Sequence, residues 1–198
     1  MLAFVRHRFA LLSFAFALVA LICAPAGAQA DVSGGCGSPT LSQPFAPWYD
    51  FSSYELAPGG DFESDFQTSP WTLSGGASIA PGSEPYAATG TLGQSSLSLP
   101  SGSSAESPST CVNVQYPTLR MFVGGTGTVV VSVVYDGIAI PTGVAVADGS
   151  WVPTAQMLTD SAIPGLLNGG SAQVSLLLTG VSGNPQVDDV FIDPMGGH

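Results

Sequence analysis

The sequence of 198 residues contains no lysine and only three arginines, of which Arg120 alone lies beyond the first thirty residues. Fourteen Asp and Glu residues give a formal net charge of −11. Nucleic-acid binding depends on lysine and arginine contacts with phosphates, and attraction to anionic membranes depends on the same residues. The composition therefore excludes nucleic acid and anionic membrane surfaces as partners, and it leaves cations and neutral ligands.

Histidine is almost absent as well, since His7 lies near the N-terminus and His198 is the last residue. A Ser-His or Cys-His relay would therefore have no base within the domain, and a zinc site could not be completed. Residues 93–97 (GQSSL) depart from the G-x-S-x-G motif at the last position. The sequence favours a non-catalytic protein, although the carboxylates that a glycosidase needs are present.

The N-terminal residues have the pattern of a secretory signal. Arg6 and Arg8 precede an apolar run over residues 9–23, and residues 28–30 (AQA) form a small-x-small cleavage site. The apolar run is shorter than the roughly 20 residues that cross a bilayer. We therefore predict a cleaved signal peptide over residues 1–30 and a secreted protein, with an uncleaved anchor as the alternative. Cleavage leaves a formal charge of 1 − 14 = −13.

Cysteine usage agrees with export, because removal of Cys23 with the signal leaves Cys36 and Cys111. Two cysteines in an oxidising compartment most simply form one disulfide. We predict a Cys36–Cys111 bond that joins the N-terminal segment to the rest of the domain. The alternative is a pair of free or intermolecular thiols.

Short runs of β-branched and aromatic residues, separated by Gly, Pro, Ser and Asn clusters, are typical of an all-β domain. We predict a leader over residues 31–54 and a β-sandwich over residues 55–198. The run VVVSVVY at 129–135 is apolar on both faces and predicts a central strand. The strands are expected near residues 54–57, 71–80, 95–99, 110–115, 117–123, 127–136, 138–146, 154–159, 171–180 and 186–193.

Within the leader, Pro44 and Pro47 exclude regular secondary structure. We expect an extended segment whose Phe45, Trp48 and Phe51 cover an apolar surface of the sandwich. A platform on which sugars stack is the alternative function for these rings.

The last predicted strand contains two adjacent aspartates, Asp188 and Asp189, within an otherwise apolar run. An unpaired buried carboxylate is costly, and the chain has almost no basic residues to pair with it. This mismatch indicates a metal ion, with Gly60 and Glu63 near the start of the domain as the second half of its site. The alternative is that the aspartates accept hydrogen bonds from loop amides.

The stretches GGDFES and VDDVFIDP, with Trp71 between them, resemble the galactose-binding-like β-sandwich, the jelly-roll fold of many carbohydrate-binding modules. Stretches such as LSQPFAPW also resemble a group of small secreted bacterial proteins without assigned function. The resemblance to the modules implies a jelly-roll β-sandwich and a structural calcium ion that joins the N-terminal and C-terminal strands.

The same resemblance makes Glu63 and Asp188 the primary calcium ligands. Asp189 is the second choice, because Asp188 shares strand parity with the inward-facing Val190 and Ile192. Gly60 belongs to the opening half of the implied site, and the loop at Glu84 is placed to give backbone carbonyls.

The implied function is a secreted, calcium-stabilised module for a neutral glycan or a cell-wall surface. The alternative is an extracellular structural or protein-interaction domain without a small-molecule ligand. Sugars dock by stacking on aromatic rings beside polar groups. We expect Arg120 to pair with an acidic residue. If Arg120 instead lies beside an exposed Phe122, the two form a ligand platform, with Tyr86 or Tyr135 as neighbours.

Overall fold

The computed structural model describes residues 36, 39–63, 70–113, 118–159 and 170–193. The predicted signal peptide and His198 lie outside the described residues. Among the residues that are described, no helix is long and apolar enough to cross a membrane. One 3₁₀-helix and eleven strands are formed there: the helix Ala46–Trp48, then β1 (Glu55–Leu56), β2 (Thr72–Ser74), β3 (Ser78–Pro81), β4 (Ser95–Ser98), β5 (Ser104–Glu106), β6 (Thr110–Asn113), β7 (Thr118–Tyr135), β8 (Ile138–Asp148), β9 (Val152–Pro153), β10 (Met157–Leu158) and β11 (Ser171–Asp193).

The long strands β7 and β11 pair with each other and organise the sheet. Strands β8, β9 and β10 follow one another along the other edge of β7. Strands β1, β4, β5 and β6 pair with β11, while β3 extends β4 and β2 extends β5. All of these ladders are antiparallel, so the predicted all-β sandwich is confirmed, and so is the central position of residues 129–135.

The predicted breaks at residues 124–126 and 181–185 are wrong, because the two segments pair with each other inside β7 and β11. Gly127 and Gly183 face each other across the ladder, where a register shift falls between Gly180 and Ser182. A Cβ on Gly127 would lie 2.0 Å from the carbonyl oxygen of Ser182, and one on Gly183 would lie 2.2 Å from that of Thr126. Glycine thus allows two backbones to approach closely and bend without losing their pairing.

Other strand predictions also differ from the structure. The expected strand over residues 71–80 is interrupted by a turn at Gly75 and Gly76, both of which have positive φ. Of the expected strand over residues 154–159, only Met157–Leu158 (β10) is formed, while β5 and β9 lie outside every predicted strand. Short strands of two to four residues carry too few alternating positions to be located from sequence.

The core has two parts on opposite sides of β7. Leu119, Met121 and Val123 belong to the main cluster, together with the alternating apolar residues of β8 and β11. Phe122 points to the other side and belongs to a second cluster. The buried members of the second cluster are Phe45, Tyr54, Phe122 and Phe191.

The leader forms part of this second core, but it is not extended as predicted. It turns through the 3₁₀-helix and returns on itself, so that Ser42 and Tyr54 form an isolated bridge. Phe45 is fully buried, and full burial of a Phe contributes about 1.5–3 kcal/mol. Phe51 does not cover an apolar surface as expected, since it is 62% exposed.

The predicted disulfide is confirmed. Cys36 and Cys111 are bonded, with a Cα–Cα distance of 5.5 Å. Because Cys111 lies on β6, the bond attaches the start of the leader to the sheet that contains β11.

Candidate functional site

Three carboxylates are buried where β11 bends. Asp188, Asp189 and Glu84 are 1%, 5% and 2% exposed. Asp189 has φ +47°, and the register with β7 shifts between Asp188 and Phe191. This bulge reverses the side-chain alternation, since Val187 and Val190 both belong to the main core. The parity argument that ranked Asp188 above Asp189 is therefore wrong.

Backbone amides satisfy two of these carboxylates. Asp188 accepts the N–H of Glu84 on Oδ2 and that of Asp189 on Oδ1, each at 2.9 Å. Glu84 accepts the N–H of Tyr86 on one oxygen and the N–H of Ala88 on the other, the latter at 2.8 Å. These are hydrogen bonds from loop amides, which the alternative to a metal site predicts. The side chain of Glu84, expected to contribute only through its backbone, is thus part of the buried group.

Burial and mutual repulsion make the aspartates hard to ionise. Burial, with a smaller contribution from the nearby Glu84 charge, raises the pKa of Asp188 to about 7. Burial, the Asp188 charge and the Glu84 charge together raise the pKa of Asp189 to about 9. A group of this kind requires a bound proton or a cation to lower its energy.

The other predicted metal ligands are only partly brought together. The carbonyl of Gly60 accepts the N–H of Val190 at 3.0 Å, next to the bulge. The Glu63 carboxylate instead accepts the N–H groups of Gln94 and Ser95. In the described part of the chain, no group of three or more His, Cys, Asp or Glu side chains is arranged to hold a metal ion.

Tyr86, two residues after Glu84, belongs to an aromatic surface. We call Trp48, Tyr86 and Trp151 the aromatic face. The Trp48 ring stands edge-on to Tyr86, with centroids 4.9 Å apart, and both pack on the buried Phe122 at 5.5 and 5.6 Å. Tyr86 is 46% exposed, while Trp48 and Trp151 are half-buried. These rings come from the leader, from the loop after β3 and from the turn between β8 and β9.

The aromatic face is held from two directions. The Tyr86 hydroxyl donates to the carbonyl of Trp151 at 2.8 Å. The Trp151 ring lies against Gly124, where an added Cβ would be 2.6 Å from Trp151 Cδ2 and Cε2. From below, the Glu84 carboxylate accepts the N–H of Tyr86. The loop after β3 therefore carries both the buried Glu84 carboxylate and the exposed Tyr86 ring.

The predicted ligand residues fall in different places. Phe122 is fully buried, so it offers no exposed ring beside Arg120. Tyr135 lies thirteen residues further along β7 (135 − 122) and packs against the main core. Arg120 pairs with an acid, as we expected by default: its Nη1 lies 2.7 Å from Oδ2 of Asp50. Only Tyr86 among the four is both exposed and part of the aromatic face.

Trp48, Trp151 and Asp50 were not predicted to share a site. Trp48 and Asp50 are only two residues apart, but Trp151 lies about one hundred residues later in the chain. The density of aromatic residues in the leader was the available signal, and we interpreted it first as a cover for an apolar surface and second as a stacking platform for sugars.

No protein-family model matches the sequence, and no curated protein sequence matches it. Among solved structures, the chain is similar to the C-terminal family 6 carbohydrate-binding module of LamC from Zobellia galactanivorans, with 14% identity and a TM-score of 0.40 over 59% of this chain and 90% of that chain. It is also similar to the CBM22-1 xylan-binding domain of Xyn10C from Paenibacillus barcinonensis, with 14% identity and a TM-score of 0.40 over 65% of this chain and 87% of that chain.

A third similar structure is the enzymatically active domain of tailspike protein 4 from bacteriophage CBA120, with 14% identity and a TM-score of 0.41. The match covers 68% of this chain but only 20% of the tailspike chain. The jelly-roll likeness predicted from sequence is thus also found among solved structures. It is a likeness of fold, and it assigns no ligand and no site residue to this chain.

Proposed function

We propose that this chain is a secreted, non-catalytic module that binds a neutral glycan on the aromatic face. The observation that carries the proposal is Tyr86, which is 46% exposed and braced by Trp48, Trp151 and Phe122. The apolar faces of sugar rings stack on such aromatic rings. A ring that neighbouring side chains already fix loses little conformational entropy when a ligand binds.

Two features support a neutral ligand with hydroxyl groups. The chain beyond residue 30 carries a formal charge of 1 − 14 = −13, so an anionic polysaccharide would be repelled. Thr89 and Thr91, in the loop that carries Tyr86, are exposed. Their hydroxyls can donate to and accept from the hydroxyls of a sugar.

The burial of the three carboxylates next to the aromatic face supports a non-catalytic role for that face. A glycosidase needs two carboxyl groups that flank the scissile bond. Glu84, Asp188 and Asp189 are at most 5% exposed, so a sugar cannot reach them in this structure.

We propose further that calcium stabilises the buried carboxylates. The side chains of Asp189 and Glu84 offer the hard oxygen donors that calcium prefers, and the mutual repulsion of the carboxylates supports a cation there. Asp188 and the carbonyl of Gly60 lie at the same bulge. A bound cation would neutralise this group and hold the loop that carries Tyr86 against β11.

A pull-down with insoluble polysaccharides and a glycan array test the binding proposal. The wild-type protein should bind a neutral glycan, and Tyr86→Ala and Trp48→Ala should each weaken that binding about tenfold, as expected when an aromatic contact is lost. Tyr135→Ala, on the far part of β7, is the matched control and should bind as the wild type does. The proposal fails if the folded wild-type protein retains no glycan, or if the two variants bind unchanged.

The alternative function is an extracellular protein-interaction domain, and a different observation favours it. On β8, the side chains of Ile138, Val144 and Val146 are 65%, 59% and 65% exposed. Exposed apolar patches of this kind can mark protein interfaces. Val144→Thr with Val146→Thr should leave glycan binding intact under the first proposal. It should reduce any self-association seen by light scattering under the alternative.

A further inference from the structure

We propose that Arg120 is a positioning residue for the aromatic face: acting through Asp50 and Phe45, it holds the leader turn so that Trp48 stands against Tyr86. This inference rests on the proposed function only where it speaks of glycan binding. Arg120 itself is 8% exposed and lies on the inner side of the leader, so it acts from beneath the face.

The guanidinium group of Arg120 contacts three neighbouring groups. Its Nη1 donates to Asp50 Oδ2 at 2.7 Å, and its Nε donates to the carbonyl of Thr154 at 2.8 Å. The guanidinium carbon also lies 4.3 Å from the ring centroid of Phe45, a cation–π contact. Arg120 therefore joins β7 to the leader and to the segment after β9.

The contacts on the leader bracket Trp48. Phe45 comes three residues before Trp48, and Asp50 comes two residues after it. Between them the chain forms a tight turn, in which the N–H of Asp50 donates to the carbonyl of Phe45 at 3.3 Å and Tyr49 has φ +62°. Fixing both ends of so short a turn leaves the Trp48 backbone little freedom.

Asp50 also connects the leader turn to Tyr54, at the end of the leader. Besides Arg120, its carboxylate accepts the hydroxyl of Tyr54 at 2.8 Å, the amide of Gln156 at 3.3 Å and the N–H of Ser52 at 3.1 Å. Removing one partner of a buried ion pair leaves an uncompensated charge. Loss of the guanidinium should therefore loosen the leader turn at Asp50, while the main core on the other side of β7 keeps its contacts.

Lysine should not replace this arginine fully. Its ammonium group is a compact point charge, and it lacks the planar fork that serves two acceptors while stacking on a ring. Arg120→Lys keeps the charge opposite Asp50, and it should therefore retain part of the positioning that Arg120→Gln removes.

The chain offers a direct probe, because its three tryptophans give three indole N–H signals in a proton–nitrogen NMR spectrum. Trp→Phe variants assign the signals. In Arg120→Gln and Asp50→Asn, the Trp48 signal should shift or broaden. The Trp71 signal should stay in place, because its Nε1 donates to the carbonyl of Pro58 from within the main core. Asp136→Asn, which removes an exposed carboxylate, is the matched control and should change neither signal.

The expected binding result is about a tenfold loss of glycan affinity in Arg120→Gln, as expected from the lost Trp48 contact, with a smaller loss in Arg120→Lys. An unchanged Trp48 signal in both Arg120→Gln and Asp50→Asn overturns the inference. Loss of the Trp71 signal in both variants also overturns it, since Arg120 would then hold the whole fold. The NMR measurement needs no ligand, so a wild-type protein that binds no glycan would defeat the proposed function alone.

Discussion

The backbone N–H of Glu84 donates to the Asp188 carboxylate at 2.9 Å, across 104 residues of chain. This bond joins the loop after β3 to the bulge of the last strand. The Glu84 carboxylate in turn accepts the N–H groups of Tyr86 and Ala88. One short loop thus connects the buried acidic group to the exposed Tyr86, so a change in the acidic group should alter the position of the Tyr86 ring.

Calcium should raise the thermal stability of the wild-type protein. A ligand that binds only the folded state contributes about 2.7 kcal/mol at a hundredfold excess over its Kd. Asp189→Asn and Glu84→Gln should each remove most of the difference between melts in calcium and in chelator. Asp136→Asn should preserve it. Equal wild-type melts in calcium and in chelator would leave hydrogen bonding to loop amides as the role of the cluster.

The Arg120–Asp50 pair should make stability depend on pH in the acidic range. Burial by itself raises the pKa of Asp50, but hydrogen bonds from Arg120 and Tyr54 outweigh it, and the pKa lies below the ordinary 3.8. A carboxyl group with a lowered folded pKa stabilises the protein above its unfolded pKa, and this contribution is lost as pH falls through the folded pKa.

Melting temperatures from pH 6 to pH 2 measure this contribution as the difference between the wild type and Asp50→Asn. The difference should be constant above about pH 4, the ordinary pKa of aspartate, and should shrink below it. A difference that does not change between pH 5 and pH 2 would contradict the lowered pKa.

The disulfide should contribute strongly to stability, because it closes a long loop. The sequence separation of Cys36 and Cys111 is 75, and the chain-entropy model gives a loop of this length about 4.5 kcal/mol. Peptide mapping without reductant should recover the linked pair, and the double variant with serine at both positions should melt at a lower temperature. Two thiols that react with an alkylating agent before reduction would contradict the bond.

Gly127→Ala should destabilise the pairing of β7 with β11. The new Cβ would lie 2.0 Å from the carbonyl oxygen of Ser182, which is backbone and cannot rotate away. Overpacking of this kind typically costs 1–3 kcal/mol. Gly149→Ala is the matched control, because Gly149 also has positive φ but no atom within 4 Å of a new Cβ. Urea denaturation should show a larger loss for Gly127→Ala, and equal losses would contradict the steric explanation.

Several properties follow from the sequence because they depend on composition or on local alternation. The absence of lysine determines the acidic charge, and the remaining cysteine pair predicts the Cys36–Cys111 bond that the structure contains. Alternation at residues 119–123 places Met121 and Phe122 on opposite sides of β7, although the burial of Phe122 in a second core was not predicted. Such patterns are visible in sequence because side-chain direction in a strand repeats every two residues.

The site was decided only by the tertiary structure. The bulge at Asp189 reverses that alternation. An aspartate by itself does not indicate a bulge, because only a small fraction of residues with a Cβ have positive φ. Burial of Phe122 depends on Trp48 and Tyr86, which approach it from distant segments. The exposure of an aromatic ring depends on which distant residues pack against it. These long-range contacts cannot be predicted from the pattern of a single sequence.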